Sequence, residues 1–129
     1  MALNKIALDT NIAIEILNNN QPTIEILRQF DVIFLPITVC GELLFGVKNS
    51  SRQDYNSPRY QALIADCEVL DTIDLVAVEY ANIKKHLKDI GSPIPENDIW
   101  IAAICVVFDV MLFTRDGHFA NIPTLKRFI

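Results

Sequence analysis

A chain of 129 residues is the size of one domain, here residues 1–129, and 51% hydrophobic residues can fill a real core. With no low-complexity stretch and no internal repeat, the composition excludes a disordered or repetitive chain. The net charge of −5 argues on its face against a nucleic-acid partner, but four acids discussed below supply most of it, so it says little about any one site.

Residues 5–8 read as a short apolar strand ending at Asp9. Helical spacing follows through Ile12, Ile16 and Leu17 until Asn18-Asn19-Asn20 stops it. Pro22 can open a second helix as its first residue, carrying Ile24, Ile26 and Leu27. Val32-Ile33-Phe34-Leu35 is a continuous apolar run, as in a buried parallel strand. Residues 38–48 are helical, and the polar stretch Asn49 to Pro58 reads as a loop leading into a helix from Tyr60 to Cys67. Val69-Leu70 begins a short strand, and a helix over 74–90 is closed by Gly91. Pro93 and Pro95 precede a strongly apolar helix over 96–108, Val110 to Phe113 is another buried strand, and Leu125 to Ile129 is a last edge strand. Strands interleaved with helices predict an α/β fold in three layers, a mostly parallel sheet of about five strands with helices on both faces.

No apolar run approaches the roughly 20 residues of a membrane helix. The first strand reaches Asp9 almost at once, which leaves no room for a signal peptide. Cys40, Cys67 and Cys105 are odd in number, widely spaced and set in apolar segments, so they read as buried free thiols of a cytoplasmic protein.

Four acids interrupt apolar structure: Asp9 in Leu8-Asp9-Thr10-Asn11, Glu42 in Gly41-Glu42-Leu43-Leu44-Phe45-Gly46, Asp98 in Asn97-Asp98-Ile99-Trp100, and Asp116 in Thr114-Arg115-Asp116-Gly117. No opposite charge travels with the first three, so bringing them together costs folding energy through repulsion. A hard divalent cation, Mg²⁺ or Mn²⁺, removes that cost because it takes oxygen ligands. Each acid also has a plainer reading. Asp9 can cap the helix it precedes, and Asp98 in a first helical turn is favoured by the helix dipole, which would keep its pKa low. Asp116-Gly117 is an ordinary turn.

Glu42 is harder to explain away. Cys40, Leu43, Leu44 and Val47 form a core stripe, and the opposite face beside Glu42 is also apolar or small, with Gly46 leaving open space one turn on. Asp98 leads the stripe Ile101, Ala102 and Cys105. In a parallel sheet, ligands bind beyond the carboxyl ends of the strands, where Asp9 and Asp116 both fall. Asn11 is placed to orient Asp9, and the Thr114 hydroxyl to hold a neighbouring acid or a bound water. His86 and His118 are single histidines without ligand spacing and read as structural or exposed. The cations Lys84, Lys85 and Lys88 share one helix, with Arg115 beside Asp116 and Lys126-Arg127 near the end; each group reads most simply as a solvated face.

Taken in order, these four segments resemble a PIN domain, and within it the VapC-type toxins of toxin–antitoxin pairs. The resemblance spans essentially the whole chain. It implies a small nuclease that cuts RNA with Mg²⁺ or Mn²⁺, a homodimer held by an antitoxin protein. Residue by residue, Asp9, Glu42, Asp98 and Asp116 match the family's catalytic and metal-binding acids, and Asn11 and Thr114 its supporting polar positions. Two departures stand out. His118 occupies a position where many relatives have another acid, and the loop after the Glu42 helix holds only Lys48, Arg52 and Arg59 where relatives are often strongly basic.

The expected chemistry is hydrolysis of an RNA phosphodiester by water, whose pKa the ion lowers, with Lys84, Lys85, Lys88 and Arg115 holding the strand from the rim. Three rivals are weighed beside it. A PIN nuclease of RNA processing would lack an antitoxin; a PIN-like module would bind RNA or protein without cutting. A haloacid-dehalogenase type phosphatase would need a second Asp where this chain has Asn11.

Overall fold

The computed structural model describes residues 3–128. Five parallel strands run β1 (Lys5–Leu8), β2 (Val32–Pro36), β3 (Glu68–Leu70), β4 (Leu112–Phe113) and β5 (Arg127–Phe128), in the spatial order β3-β2-β1-β4-β5. Between them come α1 (Thr10–Leu17), α2 (Gln21–Leu27), α3 (Ile37–Lys48), α4 (Gln53–Asp66), α5 (Asp74–Asp89) and α6 (Glu96–Val107), and a 3₁₀ turn (Gly117–Asn121) joins β4 to β5. The expected α/β architecture with a five-stranded parallel sheet is what forms. Parallel neighbours require crossovers, which the α-helices provide up to β4 and the segment with the 3₁₀ turn provides between β4 and β5.

The chain steps outward from β1 to β3, then returns to place β4 on the other side of β1. That reversal creates a crevice at the carboxyl ends of β1 and β4, the place where open α/β sheets bind ligands. Register fixes what sits there. Ala7 pairs with Leu112 and Leu8 with Phe113, and the Asp9 N–H donates to the Phe113 carbonyl at 3.0 Å. The residues that leave the two strands, Asp9 and Thr114, therefore emerge side by side. Beneath them Ile6, Leu8, Leu112, Phe113, Ile101, Ile104 and Phe119 form a fully buried core. The apolar α6 is buried on several sides, as its composition requires.

Several expectations shift at the edges of elements. Pro22 is the second residue of α2, which Asn20 caps through its side chain. Gly91 ends α5 in the left-handed region at φ +70, a conformation glycine adopts without penalty. The fourth strand covers only Leu112–Phe113 and the fifth only Arg127–Phe128; Ile129 lies outside the described residues.

The larger correction concerns Asn49 to Pro58, read as a loop. Helix α4 already begins at Gln53 and runs through Pro58. Proline removes one backbone donor, but tertiary contacts hold the turn. Arg52 and Arg59 flank the Tyr55 ring at 4.2 and 4.7 Å, Asn56 bonds Ser50, and Arg59 donates to the Leu17 carbonyl. Of these only the Arg59 bond to Leu17, 42 residues away, is long-range and invisible to local pattern; the others join residues within six positions of one another.

In α3 the buried residues are Val39, Cys40, Leu43 and Val47, whereas Leu44 is 41% and Phe45 67% exposed. The sequence stripe was thus right at Cys40, Leu43 and Val47 and wrong at Leu44, because the helix rests on the sheet through a face rotated toward Val39.

Cys40 and Cys105 are buried, Cys67 is half-buried, and all three are free. Burial pushes the Cys67 thiol up to about 11 and the Cys105 thiol up to about 12, so neither is a reactive thiolate. Among the described residues, no helix is long and apolar enough to cross a membrane.

Candidate active site

The four acids converge. Asp9, Glu42, Asp98 and Asp116 line one cavity of about 470 Å³ at the crevice, together with Thr10, Asn11, Pro95, Glu96, Asn97 and His118. Four different segments deliver them: the end of β1, the second turn of α3, the first turn of α6, and the loop after β4. Proline sets two of these helix starts. Pro36 and Pro95 precede α3 and α6 as extended cap residues without a side-chain bond, and a proline there pre-sets the backbone angle of the entering chain.

Asp9 is the most deeply held, at 5% exposure. It is the N-cap of α1 as its plainer reading requires, with Oδ1 accepting from the Thr10 N–H at 2.8 Å. Its Oδ2 accepts from the Thr114 hydroxyl at 2.7 Å. Burial raises its pKa; the two hydrogen bonds pull the other way, and the charges of Asp98 and Asp116 push it up again. Thr114 is fully buried and also accepts from the Asp116 N–H at 3.0 Å, so one hydroxyl ties two site acids together. Asn11 lies at the exposed rim. Among the described residues its side chain makes no bond to Asp9, and Thr10 and Thr114 orient that carboxylate instead.

Glu42 is half-buried, and its Oε1 accepts from the Thr10 hydroxyl at 2.9 Å. Its pKa is raised by burial, offset in part by Thr10, then raised further by Asp98 and Asp9. Thr10 therefore serves two acids, one through its backbone and one through its side chain. Sequence reading missed it, because a threonine after a strand-end aspartate looks like ordinary capping. Gly46 leaves the expected open space: an added Cβ there would meet nothing within 4 Å.

Asp98 leads a buried stripe, with Ile101, Ala102 and Cys105 at 0%, 0% and 1% exposure. The helix dipole does not keep its pKa low as expected. Burial raises it, the His118 hydrogen bond opposes, and Asp116 adds to the rise. The net direction is therefore upward, with desolvation of the half-buried carboxylate as the largest cause. Asp116 caps the 3₁₀ turn by accepting from the His118 N–H at 2.9 Å.

His118 is the second residue that sequence reading missed. Its Nδ1 lies 3.0 Å from Asp98 Oδ2 and 3.2 Å from Asp116 Oδ1. The ligand-capable atoms of Asp98, Asp116 and His118 all fall within 4.8 Å of one another. Protonated, this imidazole would be the one counter-charge among the lining residues. The signals available in sequence were its place two residues after Asp116 and its standing where relatives carry another acid.

The cations read as strand contacts divide. Lys84 sits at the rim, 3.1 Å from Glu96, a lining residue that the Tyr80 hydroxyl also contacts. Lys88 lies with Lys84 along an adjoining groove. Lys85 pairs with Asp89 at 2.5 Å, one turn along α5. Arg115 turns away from the pocket toward Glu15 and Thr23, so any RNA contact would have to compete for its guanidinium.

The donor set fits a hard divalent cation. Asp9, Glu42, Asp98 and Asp116 share the pocket with Glu96 at its edge and no lysine or arginine in its lining; burial first, and then the neighbouring acids, raise the pKa values of Asp9, Glu42 and Asp98.

Comparison with known proteins agrees with this geometry. The family model described as PIN domain matches residues 6–125. Ribonuclease VapC2 of Haemophilus influenzae is 34% identical over 104 residues, covering 77% of this chain and 76% of that protein. The structure of VapBC-1 from nontypeable Haemophilus influenzae superposes with a TM-score of 0.88 at 26% identity, covering 96% of each chain. VapBC-5 from Mycobacterium tuberculosis, a member of the VapBC family of toxin–antitoxin systems, superposes with a TM-score of 0.75 at 25% identity, again over 96% of each chain. The chain belongs to the PIN-domain family and, within it, to the VapC ribonucleases.

Proposed function

We propose that this protein is the toxin of a toxin–antitoxin pair, a cytoplasmic, homodimeric endoribonuclease that hydrolyses RNA phosphodiesters and is silenced by an antitoxin protein. Asp9, Glu42, Asp98 and Asp116 would hold Mg²⁺ or Mn²⁺. The observation that carries this reading is their convergence at the sheet's crevice without a compensating lysine or arginine in the lining. Bound there, such an ion lowers the pKa of a water and offsets charge on the phosphoryl and leaving oxygens.

The chain's own groups prepare the site. Thr114 fixes the rotation of the Asp9 carboxylate, and Thr10 fixes that of Glu42. Water is the attacking group in this reading, and the Thr10 hydroxyl is placed to orient Glu42, to which it donates. The acids alone would repel a phosphate, so the strand must be held from outside the pocket. Lys84, Lys85 and Lys88 on α5 are exposed and would add salt-dependent affinity.

Two features support the partners. Leu44 and Phe45 on α3 and Leu75 and Val78 on α5 are exposed apolar residues, which suits a second copy of the chain. The VapBC relatives are themselves toxin–antitoxin systems. The test is RNA cleavage by purified protein in EDTA and after adding Mg²⁺ or Mn²⁺. Cleavage should appear only with the ion; none with either ion would reject the nuclease reading.

A further inference from the structure

The segment carrying Asp116 is short and, among the described residues, makes one backbone bond to the sheet. Between β4 and the 3₁₀ turn the chain passes through Thr114, Arg115 and Asp116, whose backbone reaches the sheet through the Thr114 N–H to the Phe128 carbonyl at 3.3 Å. Yet this segment must keep Asp116 near Asp98 and Asp9, whose charges oppose its own.

Arg115 provides the anchor. Its Nε and Nη2 donate to Glu15 Oε2 and Oε1 at 3.2 and 3.1 Å, a bidentate pair with α1. The same Nη2 donates to the Thr23 hydroxyl of α2 at 3.0 Å, and that hydroxyl donates to Glu15 Oε1 at 2.5 Å. Thr23 is fully buried, which is unusual for a hydroxyl and is satisfied here by this ring of bonds. The guanidinium carbon also lies 5.2 Å from the centre of the Phe113 ring.

We infer that Glu15, Thr23 and Arg115 form a positioning clamp that sets Thr114 and Asp116, and through Thr114 the Asp9 carboxylate, at the acid pocket. The chain of bonds is continuous: α1 and α2 hold Arg115, its neighbours Thr114 and Asp116 are bonded to each other, and the Thr114 hydroxyl holds Asp9 Oδ2. Stability alone does not explain the arrangement. Glu15 is 26% exposed and Arg115 48%, so the ion pair itself stabilises the fold little. A bidentate fork does fix geometry in two directions, and a lysine, a point charge on a flexible stem, would not reproduce it. A misplacement of about 1 Å in such a site can cost about 10²-fold in rate.

This inference rests on reading the pocket as a divalent-metal site. Its test uses Arg115→Lys, Glu15→Gln and the charge-exchanged double variant Glu15→Arg/Arg115→Glu. Three quantities are measured: Mn²⁺ affinity by electron paramagnetic resonance without RNA, kcat and KM for RNA with Mg²⁺, and melting temperature. For the two single variants, Mn²⁺ affinity and kcat should each fall about tenfold or more, with KM and melting temperature near wild type. The exchanged pair should regain part of both losses. Unchanged Mn²⁺ affinity and kcat would overturn the clamp. A raised KM with unchanged kcat would overturn it too, and make Arg115 an RNA contact. Losses that track melting temperature across the variants would reduce it to ordinary folding support. Wild-type protein that neither binds Mn²⁺ nor cuts RNA would fail the metal-site reading itself, a separate result.

Discussion

Replacing Asp98 with Asn should make the metal-free protein more stable while abolishing its activity. The two effects share one cause. Ligand-capable atoms of Asp98 and Asp116 lie within 4.8 Å, and the Asp98 and Asp116 side chains are only 15% and 29% exposed. Two unit charges about 5 Å apart repel by about 3 kcal/mol at an effective dielectric near 20. Partial solvent screening reduces this to roughly 1–2 kcal/mol. Against that gain, the His118 contact becomes a hydrogen bond to a neutral acceptor, a loss of about 1 kcal/mol, while the burial penalty on a charged carboxylate disappears. The balance is a stabilisation of about 1 kcal/mol, or about 4 °C in melting temperature for a domain of this size.

The ion should reverse the order. A ligand at 100 times its Kd stabilises by about 2.7 kcal/mol, and the variant lacks one of four carboxylates to hold it. The assay is thermal unfolding of both proteins in EDTA and in Mn²⁺, paired with RNA cleavage, which should fall by at least about 10²-fold. Near-normal Mg²⁺-dependent cleavage would refute the role of Asp98. A lower melting temperature for the variant in EDTA would refute the repulsion argument even if cleavage were lost.

Other outcomes follow from the same geometry. The folded-state pKa values of Asp9, Glu42 and Asp98 are raised, so the folded protein keeps protons that the unfolded chain has released. Their contribution to stability is therefore present below the ordinary carboxylate range, near pH 4, and is lost as pH rises from there through the folded values; urea unfolding in EDTA should show this downward slope on the alkaline side of the ordinary carboxylate range, flattened in the Asp98→Asn variant. Water attack leaves a 5′-phosphate and a 3′-hydroxyl, so end-group mapping of cleaved RNA that found cyclic phosphates would reject the mechanism. Expression of the chain alone should arrest growth, co-expression of its neighbouring gene product should rescue it, and Asp98→Asn should cause no arrest. A silencing segment that crosses the acid pocket would present an Arg to its carboxylates, since a planar guanidinium can bridge two of them; substituting that Arg in the partner should weaken inhibition of cleavage, and unchanged inhibition would discard this mode.

Much of the protein follows from the chain read one residue after another. Apolar runs at Val32 to Leu35 and at Leu112 and Phe113, between helical patterns, determine a parallel α/β sheet, because strands buried on both faces have no polar alternation. The four acids were legible as a set, although Asp9 and Asp116 also serve as local caps and only Glu42 lacked a plain local role. Their order along the chain matched a family pattern.

What needed the tertiary structure was every relation between distant residues. The register of β1 against β4 puts Thr114 beside Asp9, 105 residues apart. Thr10 reaches Glu42 across 32 residues, and His118 reaches Asp98 across 20. None of these pairings leaves a local periodicity, so Thr10 and His118 looked ordinary. Helix α4 starts at Gln53, before Pro58, and its tie to the rest of the fold, Arg59 to the Leu17 carbonyl, spans 42 residues. Arg115, a rim cation when read beside Asp116, is aimed at Glu15 and Thr23. The pKa of Asp98 was misjudged for the same reason. A helix dipole is local and readable from sequence, whereas burial is set by everything that packs around the residue, and here burial is the largest cause of an upward shift.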